Sequence, residues 1–184
     1  MIKVAIALIH HPVLNKHGET IGSAVTNLDL HDIARAARTF GVQKYYITTP
    51  YNDQQELIKE IVDHWQTGHG ATYNPARKEA LSQICVTHSL DEAIADAAVT
   101  FCERPLVVTT SAKRQQDLVS FSCLREKIEQ EQPILLVFGT AHGLSQEIMD
   151  KADMVLPPIS GKTDYNHLSV RSAAAIVMDR LLGY

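Results

Sequence analysis

Cysteine is scarce: Cys85, Cys102 and Cys123 are the only three in 184 residues, an odd number, widely spaced and without a CxxC pair. That pattern points away from a disulfide framework and a cysteine zinc site, and it suits a reducing cytoplasm. Positive charge is not in excess either. The chain has 17 lysines and arginines against 21 aspartates and glutamates, for a formal net charge of -4. A generic polyanion binder is therefore excluded, and any nucleic acid must meet a local basic patch. Long apolar runs are missing. Val4 to Ile9 is short and runs into His10, His11 and Pro12 in place of a small-residue cleavage site, and Ile134 to Phe138 is shorter still. Both fall far below the roughly 20 residues that cross a bilayer, so nothing here reads as a membrane span or signal peptide. Repeats, low-complexity tracts and linker composition are also lacking. With 45% hydrophobic residues, residues 1–184 read as a single domain with an ordinary core.

What the chain does have is alternation. Apolar runs of strand length, Lys3 to Ile9, Lys44 to Thr48, Ile84 to Thr87, Leu106 to Thr109, Ile134 to Phe138 and Met154 to Leu156, alternate with stretches of helical spacing. Several runs are almost wholly apolar, as parallel strands covered on both faces should be. The expected architecture is α/β, a mostly parallel central sheet flanked by helices. Leu30, Ile33, Ala34 and Ala37 share one face of a helix over Asn27 to Phe40, with Asp29, Asp32, Arg35 and Arg38 opposite and Gly41 at its C-terminal stop. Ser89 and Glu92 form a capping box before an alanine-rich helix. Leu57, Ile58, Ile61 and Trp65 space as another helix, and Val170, Ala174, Val177, Met178 and Leu181 as the last, whose broad stripe suits the sheet and a second subunit. Thr67 to Asn74 reads as a surface loop.

Most chemical motifs fail. Gly161, Lys162 and Thr163 resemble the end of a phosphate loop, but Leu156 stands where its first glycine belongs and Pro157 and Pro158 fill the turn. No GxGxxG follows a strand, which removes a standard dinucleotide site. Nine histidines include the cluster His10, His11 and His17 but no HExxH, so no metal site is expected. The cysteines lie in apolar segments, where thiols are inert.

Three loops remain, each following a strand, where open parallel sheets bind ligands. Thr109, Thr110 and Ser111 follow the fourth run; Gly139 to Gly143 follow the fifth; Pro157 to Val170 follows the sixth. Small residues, hydroxyls and backbone donors there suit an adenosyl ligand without phosphates, such as S-adenosylmethionine. They equally suit plain turns with helix caps, Ser145 being a good cap for a helix from Gln146.

The wording of these loops tips that balance. VVTTSAK (107–113), LLVFGTAHGLS (135–145) and VLPPISGKTDYNHLSVRSAAAI (155–176) resemble the three cofactor motifs of the SPOUT superfamily of trefoil-knot RNA methyltransferases, in particular a small family related to the C-terminal domain of tRNA guanine-N1 methyltransferases. NLDLHDIARAARTFGV (27–42) is similar to the first motif, whose arginine stands six residues before a glycine, as Arg35 does before Gly41. The resemblance implies a C-terminal deep trefoil knot, a homodimer, an RNA substrate, tRNA or rRNA, and S-adenosylmethionine held by Thr109, Thr110 and Ser111, by Phe138, Gly139, Thr140, Gly143 and Leu144, and by Leu156, Pro158, Ile159, Asn166, Leu168, Ser169 and Ala173. It makes Arg35 and Asp164 the catalytic candidates, and Asn27, Arg38, Lys113, Lys162 and Arg171 the substrate contacts. A basic rim of Arg35, Arg38, Lys44, Lys113, Arg114, Lys162 and Arg171 is expected around the site. The motifs also depart from their relatives: Thr140, Ala141 and His142 intervene where many have a glutamate, and Ser169 replaces a common asparagine. Two rival readings stand beside this one, a non-catalytic flavodoxin-like adenine-nucleotide module and a hydrolase-type enzyme, the latter without a GxSxG elbow.

Overall fold

A computed structural model describes residues 2–112 and 118–184. Its elements run in order β1 (Val4–Ile9), β2 (Val13–Leu14), β3 (Thr20–Ile21), α1 (Asn27–Thr39), β4 (Lys44–Thr48), α2 (Asn52–Gln66), α3 (His69–Tyr73), α4 (Pro75–Leu81), β5 (Ile84–Thr87), α5 (Leu90–Phe101), β6 (Leu106–Thr109), α6 (Phe121–Glu129), β7 (Ile134–Gly139), α7 (Gln146–Met149), β8 (Met154–Val155) and α8 (Val170–Leu182). Six strands form one sheet in the order β5-β4-β1-β7-β6-β8, every neighbouring pair parallel. No helix among the described residues is long and apolar enough to cross a membrane.

Alternation along the strands builds two cores. Val4, Ile6 and Leu8 of β1, with Tyr45, Ile47, Leu136 and Phe138 of its neighbours, pack against Leu30 and Ile33 of α1, Ile58 of α2, Leu124 of α6 and Val177 of α8. Ala5, Ala7 and Ile9, with Tyr46, Leu135 and Val137, face α5 and α7 through Leu90, Ala93, Ala97 and Ile148. Both faces of the sheet are dry, which is why its strands read as unbroken apolar runs.

The helices end where local chemistry ends them. Thr26 caps α1 by accepting from the Asp29 amide, and Gly41 follows its C-terminus at φ +76°. Ser89 caps α5 through the Glu92 amide, but the Glu92 carboxylate reaches the amide of His88, one residue before the position a capping box requires.

Two segments depart from expectation. The stretch expected as a loop over Thr67 to Asn74 contains α3, after which Asn74 caps α4 with Pro75 at its first turn; two glycines and few apolar residues hide a helix of five residues. Residues 13–21 form the β2–β3 antiparallel hairpin, too short to show a period.

Candidate functional site

The loops after β6, β7 and β8 lie at the same end of three adjacent strands, and hydrogen bonds tie them to one another. Thr110 donates its amide to the Val137 carbonyl of β7 at 3.2 Å. The Leu156 amide donates to the Thr109 carbonyl at 3.0 Å, and the Asn166 Nδ2 reaches the Ala112 carbonyl at 3.3 Å. The first and third loops are thus in direct contact and the second is their neighbour across the sheet.

The second loop is held from two sides. Gly139 closes β7 beside Ile9, and a Cβ on it would lie 2.9 Å from the Leu144 amide nitrogen, so only glycine permits the tight return of this turn. The Thr140 hydroxyl donates to the Ile9 carbonyl at 2.9 Å and meets the Ser23 hydroxyl, which in turn lies 3.1 Å from Nδ1 of the buried His10. From the other side, the β2–β3 hairpin exchanges backbone bonds with the loop, Leu14 with Gly143 and His142 with Leu14. Burial dominates at His10 and pushes its imidazole below the ordinary value of 6.5, against the field of Asp29, so the ring is neutral at physiological pH. Neither His10 nor the hairpin is signalled as part of this network by the sequence.

The expected cofactor residues divide by exposure. Phe138, Leu144 and Leu156 are core side chains, 2%, 7% and 1% exposed, and can offer a ligand only their backbone; this narrows their expected role. Thr109 is also buried, and its hydroxyl has no hydrogen-bond partner among the described residues. Thr110, Thr140, Gly143, Pro158, Ile159 and Ala173 are half-buried around the loops, whereas Asn166 and Leu168 are exposed. Ser169 caps α8 by accepting from the Ser172 amide at 3.2 Å, a structural duty that the asparagine at this position would also perform. Ser145 occupies the N-cap of α7 with an extended backbone, but its buried hydroxyl makes no cap bond. Asp164 is exposed.

The charged residues depart from the expected rim. Arg171 of α8 donates to Asp32 at 2.9 Å and approaches Asp29 at 3.5 Å. Asp29, expected on a solvated helix face, is 8% exposed and also accepts from the Thr26 hydroxyl at 2.7 Å. Arg38 pairs with Glu79 on α4. Lys44 opens β4, at the opposite end of the parallel strands from the loops, and pairs with Asp96 at 3.2 Å. Lys113 and Arg114 lie outside the described residues. A continuous basic rim is therefore not assembled: two of its arginines are spent on carboxylates and one lysine sits at the wrong end of a strand. Arg35, by contrast, is exposed on α1 without an ion-pair partner among the described residues, and Asp32, its neighbour three positions back on the helix, is engaged by Arg171.

A family model described as SAM-dependent RNA methyltransferase matches residues 3–183. The chain belongs to this family. Within it, this chain is 45% identical over 177 residues to a tRNA (guanine-N(1)-)-methyltransferase of Oleidesulfovibrio alaskensis, covering 96% of itself and 41% of that protein. It is 41% identical over 179 residues to an uncharacterised protein of Aquifex aeolicus, covering 97% of itself and 87% of that chain. Its fold matches the crystal structure of TrmJ from Zymomonas mobilis ZM4 at a TM-score of 0.61 and 18% identity, over 96% of this chain and 67% of that one. The chain spans about two-fifths of the length of the named tRNA methyltransferase relatives.

Proposed function

We propose that this chain transfers the methyl group of S-adenosylmethionine to a nucleotide of tRNA or rRNA, at guanine N1 or a ribose 2'-hydroxyl. The observation that carries the reading is that the first and third loops are hydrogen-bonded to each other, by Leu156 to Thr109 and Asn166 to Ala112, beside the second loop at the same end of adjacent parallel strands. The donors fit the cofactor: the half-buried Thr110 and Thr140 and the backbone groups of Gly139 to Leu144 and of residues 157–169 present hydrogen-bonding atoms without charge, as an adenosyl group requires. When bound, the cofactor supplies the activated methyl group.

The protein's own work is alignment and proton removal. Thr109, Thr110, Ser111, Gly139, Thr140, Gly143, Pro158, Ile159, Asn166, Leu168, Ser169 and Ala173 hold the cofactor, with the backbones of Phe138, Leu144 and Leu156. Arg35 grips the phosphate of the acceptor nucleotide, its guanidinium being uncommitted. Asp164 takes the proton of the acceptor if that acceptor is guanine N1. Asn27, Arg38, Lys113, Lys162 and Arg171 contribute at the RNA side, Arg38 by exchanging its exposed and hence weak pairing with Glu79 for a phosphate.

A second copy of the chain completes the site. Leu168 is 44% exposed at the beginning of α8, which Arg171 joins to α1; a homodimer covers it. The C-terminal segment is knotted. Its support is that β8 pairs with β6 on one side and with Leu118 on the other, so one continuous stretch of chain flanks β8 on both sides, while the chain leaving Leu156 returns to pack α8 against α1 and β7. The compartment is a reducing cytoplasm, which suits three free cysteines.

The test is incubation of the purified chain with tritium-labelled cofactor and tRNA or rRNA from cells lacking the gene, followed by nucleoside analysis. Label in 1-methylguanosine or a 2'-O-methylnucleoside is expected and tells base from ribose. Cofactor binding by calorimetry without transfer to either RNA would favour the non-catalytic adenine-binding module.

A further inference from the structure

Helices α1, α2 and α4 enclose a groove of about 570 Å³ that the methyl-transfer reading leaves unused beyond Arg35 and Asn27. Its floor is Trp65. The guanidinium carbon of Arg77 lies 4.7 Å from the centre of that ring, and His31 and His64 meet it edge-on at 5.4 and 5.5 Å. Arg77 is thereby held flat and rigid by a cation–π contact. Its Nε is buried without a hydrogen-bond partner, as is Nδ1 of His31. His31 lines the same groove as Arg77 and Arg35, and burial first and then the field of Arg77 hold its imidazole below the ordinary value. Among the described residues no carboxylate pairs with either arginine: Asp32, at the groove wall, is occupied by Arg171, and Glu60 at the rim makes no ion pair.

Two guanidinium groups without a carboxylate partner among the described residues, one of them set over the Trp65 ring, match the oxygens of a phosphodiester, which arginine binds with a fixed fork of donors. The groove has apolar walls in Leu28, Ile61 and Trp65 and is otherwise lined by charged, amide and imidazole groups, which suits a sugar-phosphate strand whose riboses pack on the walls while its phosphates meet the arginines. We propose that the α1–α2–α4 groove binds the sugar-phosphate backbone of the RNA substrate away from the acceptor nucleotide, with Arg77 as its principal phosphate contact. The groove continues from Arg35, so an RNA strand lying in it leads to the residue assigned to the acceptor phosphate. This assignment rests on the RNA-methyltransferase reading and adds to it the path of the substrate.

Trp65 is the sole tryptophan of the chain, so its emission reports on the groove directly. The full chain is titrated with tRNA and, separately, with inorganic tripolyphosphate, while filter binding gives tRNA affinity across salt concentrations. The expected results are a saturable change in Trp65 emission with tRNA, about a tenfold loss of tRNA affinity in Arg77→Gln and a salt slope smaller by about 1. Arg77→Lys, which keeps the charge but loses the fork and the ring contact, should bind tRNA more weakly than the parent and more tightly than Arg77→Gln, and Glu60→Lys, which adds a cation at the exposed rim, should bind tRNA more tightly. Cofactor affinity and oligomeric state should be unchanged in all three. Unchanged tRNA affinity in Arg77→Gln overturns the proposal. So does loss of affinity accompanied by dissociation of a dimer or loss of the native circular dichroism, which would make the groove a contact between copies or a structural feature. Tripolyphosphate binding that tRNA does not displace assigns the groove to a small anion and also overturns it. A parent chain that binds cofactor but no RNA instead refutes the underlying methyltransferase reading.

Discussion

Arg171 at the start of α8 donates to Asp32 at 2.9 Å and stands 3.5 Å from Asp29, so one guanidinium joins the first turns of two helices that are far apart in sequence. The brace has two effects. It compensates Asp29, a carboxylate buried among apolar neighbours, and it removes from α1 the negative charge that would otherwise neutralise Arg35. Replacing Arg171 by alanine leaves Asp29 uncompensated and is expected to cost about 1 to 3 kcal/mol in urea unfolding. Adding Asp29→Asn should recover part of that loss; strictly additive effects in the double-mutant cycle would show that the two groups do not interact.

Arg35 is expected to act on the acceptor and not on the cofactor. Arg35→Ala should lower kcat for methyl transfer by about a hundredfold or more, the scale of losing a group that stabilises charge in the transition state, while calorimetric cofactor affinity stays within about twofold. Equal losses of cofactor binding and turnover would move Arg35 out of this role.

Gly139 is the most restricted position of the second loop. A methyl group added there meets the Leu144 backbone at 2.9 Å, so Gly139→Ala should force the turn open and weaken cofactor binding by about tenfold, with the helical circular dichroism retained. Parental affinity in that variant would mean that the loop does not touch the ligand.

The His10–Ser23–Thr140 chain fastens the same loop to β1. Ser23→Ala breaks it in the middle and should cost about 1 kcal/mol of stability, with faster amide exchange confined to the 139–144 turn. His10 also makes stability pH-dependent. Its folded value lies below 6.5 because burial disfavours the charged ring, so the unfolded chain takes up a proton first. Stability from this residue is complete above about pH 6.5 and declines as the pH falls towards its folded value. Denaturation midpoints at pH 7.5 and 5.5 should differ less in His10→Gln than in the parent.

Tyr46 and Asp96 offer an acid-range test on the opposite face of the sheet. The Tyr46 hydroxyl donates to Asp96 at 2.7 Å and is the main cause holding that carboxyl below its usual range, with Lys44 assisting. The lowered value means stability present above about pH 4 and lost as pH falls through it. Tyr46→Phe should therefore cost about 1 kcal/mol at pH 7 and progressively less towards pH 3. A cost independent of pH would assign the effect to packing alone.

Much of this molecule was written locally. Six strands, the first and last long helices and the stop at Gly41 follow from apolar period and capping chemistry, because these depend on neighbours within a few residues. The three loops were legible as chemistry since small residues and hydroxyls after a parallel strand have few other uses. Less was legible where partners are distant. Asp29 reads as a solvated helix-face residue until Arg171, more than a hundred positions away, is packed against it. His10 reads as a scattered histidine until β3 and the β7 loop bring Ser23 and Thr140 beside it. Trp65 reads only as part of an apolar helix stripe, and nothing local places Arg77 over its ring.

The amino-acid order by itself therefore determined which segments become the main strands and helices and which turns, rich in small residues and hydroxyls, follow the parallel strands. Strand order, the pairing of Arg171 that leaves Arg35 free, and the cationic groove were decided only by tertiary structure. The physical reason is range: backbone hydrogen bonds and hydrophobic period act over one or two turns, whereas charge compensation and cavity shape are set by whichever groups folding brings within a few ångströms.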